Sequence, residues 1–70
     1  MNYETLQILK KKLPYNWSGK IAKKTGYSKS LVIRVINGEI NNATVIDEAI
    51  QLAKEHQKEI KEKEALINSL

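Results

Sequence analysis

The sequence is constrained most by a glycine that stands between two short segments of helical pattern. Residues 18–25 place Ile21 and Ala22 on one side of a helix, and residues 29–36 show a second helical pattern. Gly26 separates the two, because glycine accepts the positive φ that ends a helix and turns the chain sharply. The sequence therefore predicts two short helices that meet at a tight elbow.

The residues around this elbow are spaced as two steeply crossing helices require. Ala22 is small enough for the backbones to approach closely, and Tyr27 is expected to fill the wedge beneath the turn. Val32 and Val35 are expected to hold the following helix against the body. Each side chain alone has an ordinary explanation as a core residue or a helix cap, but together with Gly26 they favour a helix-turn-helix.

The rest of the chain is also helical in pattern. Residues 2–13 have leucines at helical spacing and end before Pro14, because the residue before a proline avoids the α region. Residues 39–43 form a polar loop, and residues 45–67 contain neither glycine nor proline. With no strand pattern, the sequence predicts an all-α fold of four to five helices, the last of them extended.

Polar residues that can cap helices precede three of these segments. Asn16 or Ser18 is predicted to cap the second helix, and Ser28 the third. Thr44 with Asp47 resembles a capping box at the start of the last helix. These residues set the predicted starts of the helices.

The positive charge is concentrated in the first half of the chain. Residues 1–39 hold eight Lys and Arg against two Glu, residues 40–53 hold two acidic residues alone, and residues 54–70 hold four Lys and four Glu. This asymmetry suits an anionic partner, most commonly phosphate. A solvated basic face that keeps the protein soluble explains the charge equally well.

Composition argues against several other classes. The chain has no cysteine, so we expect no disulfide framework, no metal site and no cofactor. It has no long apolar run and no basic segment followed by an apolar one, so we expect a cytoplasmic protein without a membrane span or secretory signal. A single histidine, without a glycine-rich phosphate loop or a carboxylate pair beside a nucleophile, argues against an enzyme.

The segment at residues 29–36 has an apolar face and an opposite polar face when residues are placed about 100° apart. The apolar side consists of Ser28, Val32, Val35 and Ile36. The polar side consists of Ser30, Arg34 and Asn37, with Lys29 at the helix start and Leu31 and Ile33 at the edges.

This polar face has the chemistry to enter the major groove of B-DNA. Arg34 can bond guanine O6 and N7 together, and Lys29 can do the same or hold a phosphate. Ser30 can meet several base edges, and Ile33 or Leu31 can touch a thymine methyl group. For Arg34 the ordinary alternative is a solvated surface charge.

Residues 21–38 read Ile-Ala-Lys-Lys-Thr-Gly-Tyr-Ser-Lys-Ser-Leu-Val-Ile-Arg-Val-Ile-Asn-Gly, and this run resembles the helix-turn-helix of the Cro and lambda-repressor class. It also resembles the headpiece of lactose-repressor-type regulators. The first helix at residues 2–13 and the run at residues 37–43 make the phage-repressor class the better match. The similarity covers about residues 3–54, and it implies a lambda-repressor-like domain.

The resemblance implies roles for individual residues. Base contacts fall on Lys29, Ser30 and Arg34, to which the helix wheel adds Ile33. Phosphate contacts fall on Asn37 and on the start of the second helix, where a backbone N–H can meet the anion. With two further polar residues, the predicted phosphate set is Ser18, Lys20, Lys24, Asn37 and Asn41.

The C-terminal segment has a weak heptad pattern. Ile46, Ala53, Ile60 and Ile67 recur every seven residues, but Gln57 and Glu64 interrupt the seam that Ile50 would complete. A homodimer through residues 46–67 is one interpretation, and a solvated helix with Glu/Lys pairs is the other. The sequence is therefore divided into a DNA-binding unit at residues 1–54 and a charged helical extension at residues 55–70.

Two functions follow as hypotheses. The first is a repressor-like transcriptional regulator that occupies an operator in double-stranded DNA. The second is an antitoxin-like or adaptor module whose long C-terminal helix binds a partner chain. A pure adaptor has no need of Lys29, Ser30 and Arg34 on one face beside further lysines, and this pattern favours the first.

Overall fold

The computed structural model describes residues 2–70, which form four α-helices and no strand. The helices are α1 (Tyr3–Lys11), α2 (Trp17–Thr25), α3 (Lys29–Ile36) and α4 (Ala43–Asn68). The all-α prediction with an extended last helix is confirmed. Met1, the first residue of the predicted 1–54 unit, lies outside the described residues. None of the helices in residues 2–70 has both the length and the apolar composition needed to cross a membrane.

The elbow between α2 and α3 forms at Gly26, as predicted. Gly26 has φ 80° and ψ 3°, and its N–H donates to the Ala22 carbonyl oxygen over 2.9 Å. Ser28 then caps α3, because its hydroxyl oxygen accepts from the Leu31 N–H at 3.1 Å. An added Cβ at Gly26 would meet nothing within 4 Å, so the backbone conformation, and not crowding, requires the glycine.

The core is built around the inner face of α3. Val32, Val35 and Ile36 are essentially fully buried, which confirms the predicted role of the two valines. They share a cluster with residues from the other helices and from the segment after α1. Those residues are Leu13, Ile21, Val45, Ala49 and Ala53. α3 is therefore held on one side by close packing while its other side faces solvent.

The turn itself contributes less to the core than predicted. Tyr27 remains 39% exposed and does not belong to the core cluster, so the prediction that it fills a wedge is wrong. Ala22 and Leu31, from the helices on either side, pack against the core instead. Ser28, which the wheel placed on the apolar side, is exposed because it serves as the cap of α3.

α1 is shorter than the predicted 2–13. The helix ends at Lys11, and the Lys12 N–H closes its last turn on the Leu9 carbonyl oxygen at 3.0 Å. Leu13 has left the helix, as the proline at the next position requires, yet its side chain is still buried in the core.

α4 begins earlier than predicted and with a different cap. The Asn42 side-chain oxygen accepts from the Val45 N–H at 3.2 Å, whereas Thr44 lies exposed in the first turn. The predicted capping box at Thr44 is therefore wrong. Because the helix has already begun at Asn42, the Ile46 N–H donates to the Asn42 carbonyl oxygen at 3.2 Å and needs no threonine cap.

α4 also runs past the body of the protein. Its 26 residues span about 39 Å at roughly 1.5 Å per residue, close to the longest molecular extent of 45 Å. Ala53 is its last buried residue and Ile60 its last half-buried one. The helix is continuous across residues 54 and 55, so the predicted units 1–54 and 55–70 differ in exposure and not by a break in the backbone.

Candidate nucleic-acid interface

All four residues predicted to contact bases lie on one exposed face of α3. Lys29, Ser30, Ile33 and Arg34 are exposed, and their spacing of one, three and one residues places them on the same side of a helix. Ile33 leaves 39% of its surface in solvent although it is apolar. Leu31, the alternative apolar contact, packs against the core. Ile33 is thus the apolar side chain that this face presents.

α2 and α3 carry charge of one sign. Residues 17–36 contain five cationic side chains and no acidic one. Lys20, Lys23 and Lys29 line a shallow groove together with Asn16 and Gly19. Lys23 and Gly19 were not in the predicted set, although the lysine pattern of α2 already included Lys23.

Gly19 brings the start of α3 against the start of α2. A Cβ added at Gly19 would lie 3.3 Å from the Lys29 Cε and 3.7 Å from its Nζ. The Lys29 side chain therefore lies across the first turn of α2. A bare glycine leaves the room for it, and the ammonium group stands close to the N-terminus of that helix.

The N-terminus of α2 has no side-chain cap. Asn16 occupies the cap position without a cap hydrogen bond, whereas α1, α3 and α4 are each capped by a side chain. The N–H of Trp17 donates to Pro14 and that of Lys20 to Asn16, which leaves the Ser18 and Gly19 amides directed out of the first turn. Ser18 is not a cap, since it lies inside the helix. The amides and three nearby ammonium groups together favour an anion.

Lys24, also predicted to contact phosphate, is directed elsewhere. Its Nζ lies 3.2 Å from an Oε2 of Glu48 on α4, and within residues 2–70 this is the one ion pair shorter than 4.0 Å. Its side chain lines a pocket with Glu48 and Glu55 and does not line the groove of Lys23 and Lys29. Lys20 lines both.

Beside the C-terminal end of α3 lies a cation of α1, Lys10, which the sequence analysis did not predict to take part in the site. Lys10 Nζ donates to Asn37 Oδ1 at 3.3 Å in a partly buried contact between residues 27 positions apart. The predicted phosphate contact Asn37 thus has a lysine beside it. Asn41 is exposed in the following loop, but it lines a separate depression that includes Tyr3 and Asp47.

No protein-family model, curated protein or solved structure matches this chain. Within residues 2–70, no three His, Cys, Asp or Glu side chains are arranged to hold a metal ion. The geometry and charge of the α2–α3 surface are therefore what bears on function.

Proposed function

We propose that the protein is a sequence-specific, double-stranded DNA-binding transcriptional regulator of the helix-turn-helix kind, with α3 as its recognition helix. The observation that carries the proposal is the two-sided character of α3. Lys29, Ser30, Ile33 and Arg34 are exposed on one face, while the opposite face is buried. A helix that is held by close packing on its opposite face loses little backbone freedom on binding, which favours selective recognition.

In this proposal α3 enters the major groove. Arg34 donates to guanine O6 and N7, Ser30 bonds a neighbouring base edge, and Ile33 contacts a thymine methyl group. The Lys29 side chain lies against the first turn of α2, so we assign it to a phosphate that binds beside that turn.

Phosphates on the two sides of the groove have separate partners. On one side lie Lys20, Lys23 and the free amides of Ser18 and Gly19. On the other side lies Lys10 with Asn37. Three ammonium groups around the positive end of a helix repel one another in the free protein, and a phosphate relieves that repulsion.

The resemblance to Cro and lambda-repressor proteins makes repression by operator occupancy the proposed mode of action. Under this proposal the chain acts by binding in the cytoplasm and is not an enzyme.

The proposal is tested by selecting binding sites from random duplexes at two salt concentrations. We expect one consensus at both salts, with affinity at least about 10³-fold above that for a scrambled duplex at physiological salt. Arg34→Ala should lose enrichment at one base pair, whereas Lys58→Ala, an exposed change on α4, should leave the consensus unaltered. Enrichment of no consensus at either salt would contradict sequence-specific binding.

A further inference from the structure

A second surface lies on the side of the molecule where the end of α1 meets α4. We call it the α1–α4 groove, and none of its lining residues belongs to α2 or α3. Its floor is formed by Leu9, Ile50 and Ala53 with Gln57. Its rim is formed by Lys12, Lys54, Lys58 and Lys61, with Glu62 at one end.

The floor is apolar because α1 stops before it can cover α4. Ile50, Ala53 and Gln57 are spaced by three and four residues, so they share one face of α4. Leu9 reaches this face from the last full turn of α1, and beyond it the helix ends at Lys11. Ile50 and Leu9 remain only half-buried as a result.

The rim is strongly cationic, and none of its lysines forms an ion pair shorter than 4.0 Å within residues 2–70. Four lysines stand against Glu62 alone, a surplus of three positive charges. All four are exposed, and none takes part in the Lys24–Glu48 ion pair found within the described part of the chain. These cations are therefore available to an acidic ligand.

One flank of α4 is mainly basic, with Glu62 as the exception. Lys54, Lys58 and Lys61, at spacings of four and three, form a row on the groove side. Glu48 and Glu55 lie on the other flank, where they line a pocket with lysines of α2. The acidic flank is thus used within the chain, while the basic flank faces solvent.

We propose that the α1–α4 groove is a docking site for an acidic amphipathic helix of a partner protein. Apolar side chains of such a helix would lie on Leu9, Ile50 and Ala53, and its flanking carboxylates would meet the lysine rim. This inference is independent of the proposed DNA binding, since the groove shares no residue with that surface.

Charge and polarity decide between this occupant and two others. A second copy of the chain that paired symmetrically through this face would bring one lysine row against another, and such like charges repel. DNA would satisfy the lysines, but its polar sugar–phosphate backbone would leave the apolar floor without a matching partner. An acidic helix with an apolar face matches both features.

The test uses three fluorescein-labelled helical peptides of equal length. The first has leucines on one face and glutamates on the flanks, the second has lysines in place of the glutamates, and the third has serines in place of the leucines. We expect the 70-residue chain to bind the first peptide about tenfold or more tightly than either other peptide, as measured by anisotropy.

Charge reversal locates the binding. The double variant Lys58→Glu and Lys61→Glu should lose the acidic peptide and gain the basic one. The matched control reverses two exposed lysines that line neither this groove nor the surface proposed to bind DNA, Lys11 and Lys63. The control should keep a preference for the acidic peptide, and circular dichroism should show both variants to be folded.

Four results would overturn the proposal. Equal loss in the two double variants would indicate long-range charge attraction alone. Equal affinity for the leucine and serine peptides would mean that the floor is unused. A dimer in sedimentation that the acidic peptide dissociates would make the second copy the occupant. Loss of DNA binding in the groove variant but not in the control would make nucleic acid the occupant.

Discussion

At the scale of single residues, Gly26 is a position where the backbone conformation disfavours β-branched side chains. Its φ of 80° lies in the left-handed region, and no neighbour crowds it. Gly26→Val should therefore destabilise the fold by about 1–3 kcal/mol, because β-branched residues resist this conformation. Gly26→Asn should cost less, since asparagine tolerates it. Urea unfolding measures both, and an unchanged midpoint for the valine variant would contradict a conformational requirement at this turn.

Under the proposed function, Arg34 is the residue on which base reading most depends. Arg34→Ala should reduce the free energy of binding to the selected duplex by about 1–3 kcal/mol and relax the preference at one base pair. The side chain is exposed and has no ion-pair partner among residues 2–70, so the unfolding midpoint should hardly change. A uniform loss of affinity across all duplexes would instead make Arg34 a phosphate contact.

Lys23 and Lys24 are adjacent in sequence but differ in their surroundings. Lys23 lines the groove at the start of α3, whereas Lys24 is paired with Glu48. Lys23→Ala should weaken binding to all duplexes and lower the slope of log affinity against log salt by about 1. Lys24→Ala should change that slope less, because a carboxylate already holds the ammonium group. An equal or larger effect at Lys24 would contradict this assignment.

At the scale of elements, the sequence predicted what depends on neighbours along the chain. Gly26, Ser28 and the valine spacing are local signals, and they located α2, the turn and α3 closely. The start of α4 was missed because Asn42 and Thr44 are both competent caps, and only the folded geometry selects between them. The Lys10–Asn37 contact was also missed, because no local pattern joins residues 27 positions apart.

Under the proposed function, Gly19 in the first turn of α2 favours DNA binding at a cost in stability. Gly19 is a poor helix former, yet an added Cβ would lie only 3.3 Å from the Lys29 Cε. Gly19→Ala should stabilise the fold by about 0.5–1 kcal/mol through helix propensity. The same change should weaken DNA binding by displacing Lys29.

Thermal unfolding and anisotropy measure these two effects separately. In a Lys29→Ala background the effect of Gly19→Ala on DNA affinity should vanish, since the displaced side chain is then absent. If Gly19→Ala still weakens binding in that background, the effect does not pass through Lys29.

At the scale of the whole molecule, the first part of α4 packs in the core, and its residues there are not available for an interface with another chain. Of the predicted dimer seam at residues 46–67, Ile46 packs against the core and Ala53 is buried within it. Ile60 is half-buried, and Ile67 is 65% exposed. Of the four residues at seven-residue spacing, Ile60 and Ile67 are therefore left for another copy of the chain, too few for a stable coiled coil.

We therefore expect the free protein to be a monomer and to pair only on DNA that presents two adjacent half-sites. One recognition helix reads about half of a site. Two copies bound to adjacent half-sites have a high effective concentration relative to each other, and this compensates for the weak contact between their α4 helices. Sedimentation velocity should give one 8.0 kDa species for the free chain and two chains per duplex that carries both half-sites. Ile67→Glu should leave the free monomer and single-half-site affinity unchanged but reduce cooperativity on the double site, because it places a charge in the remaining seam. A free dimer that Ile67→Glu does not dissociate would show that the chain pairs through a surface other than the end of α4.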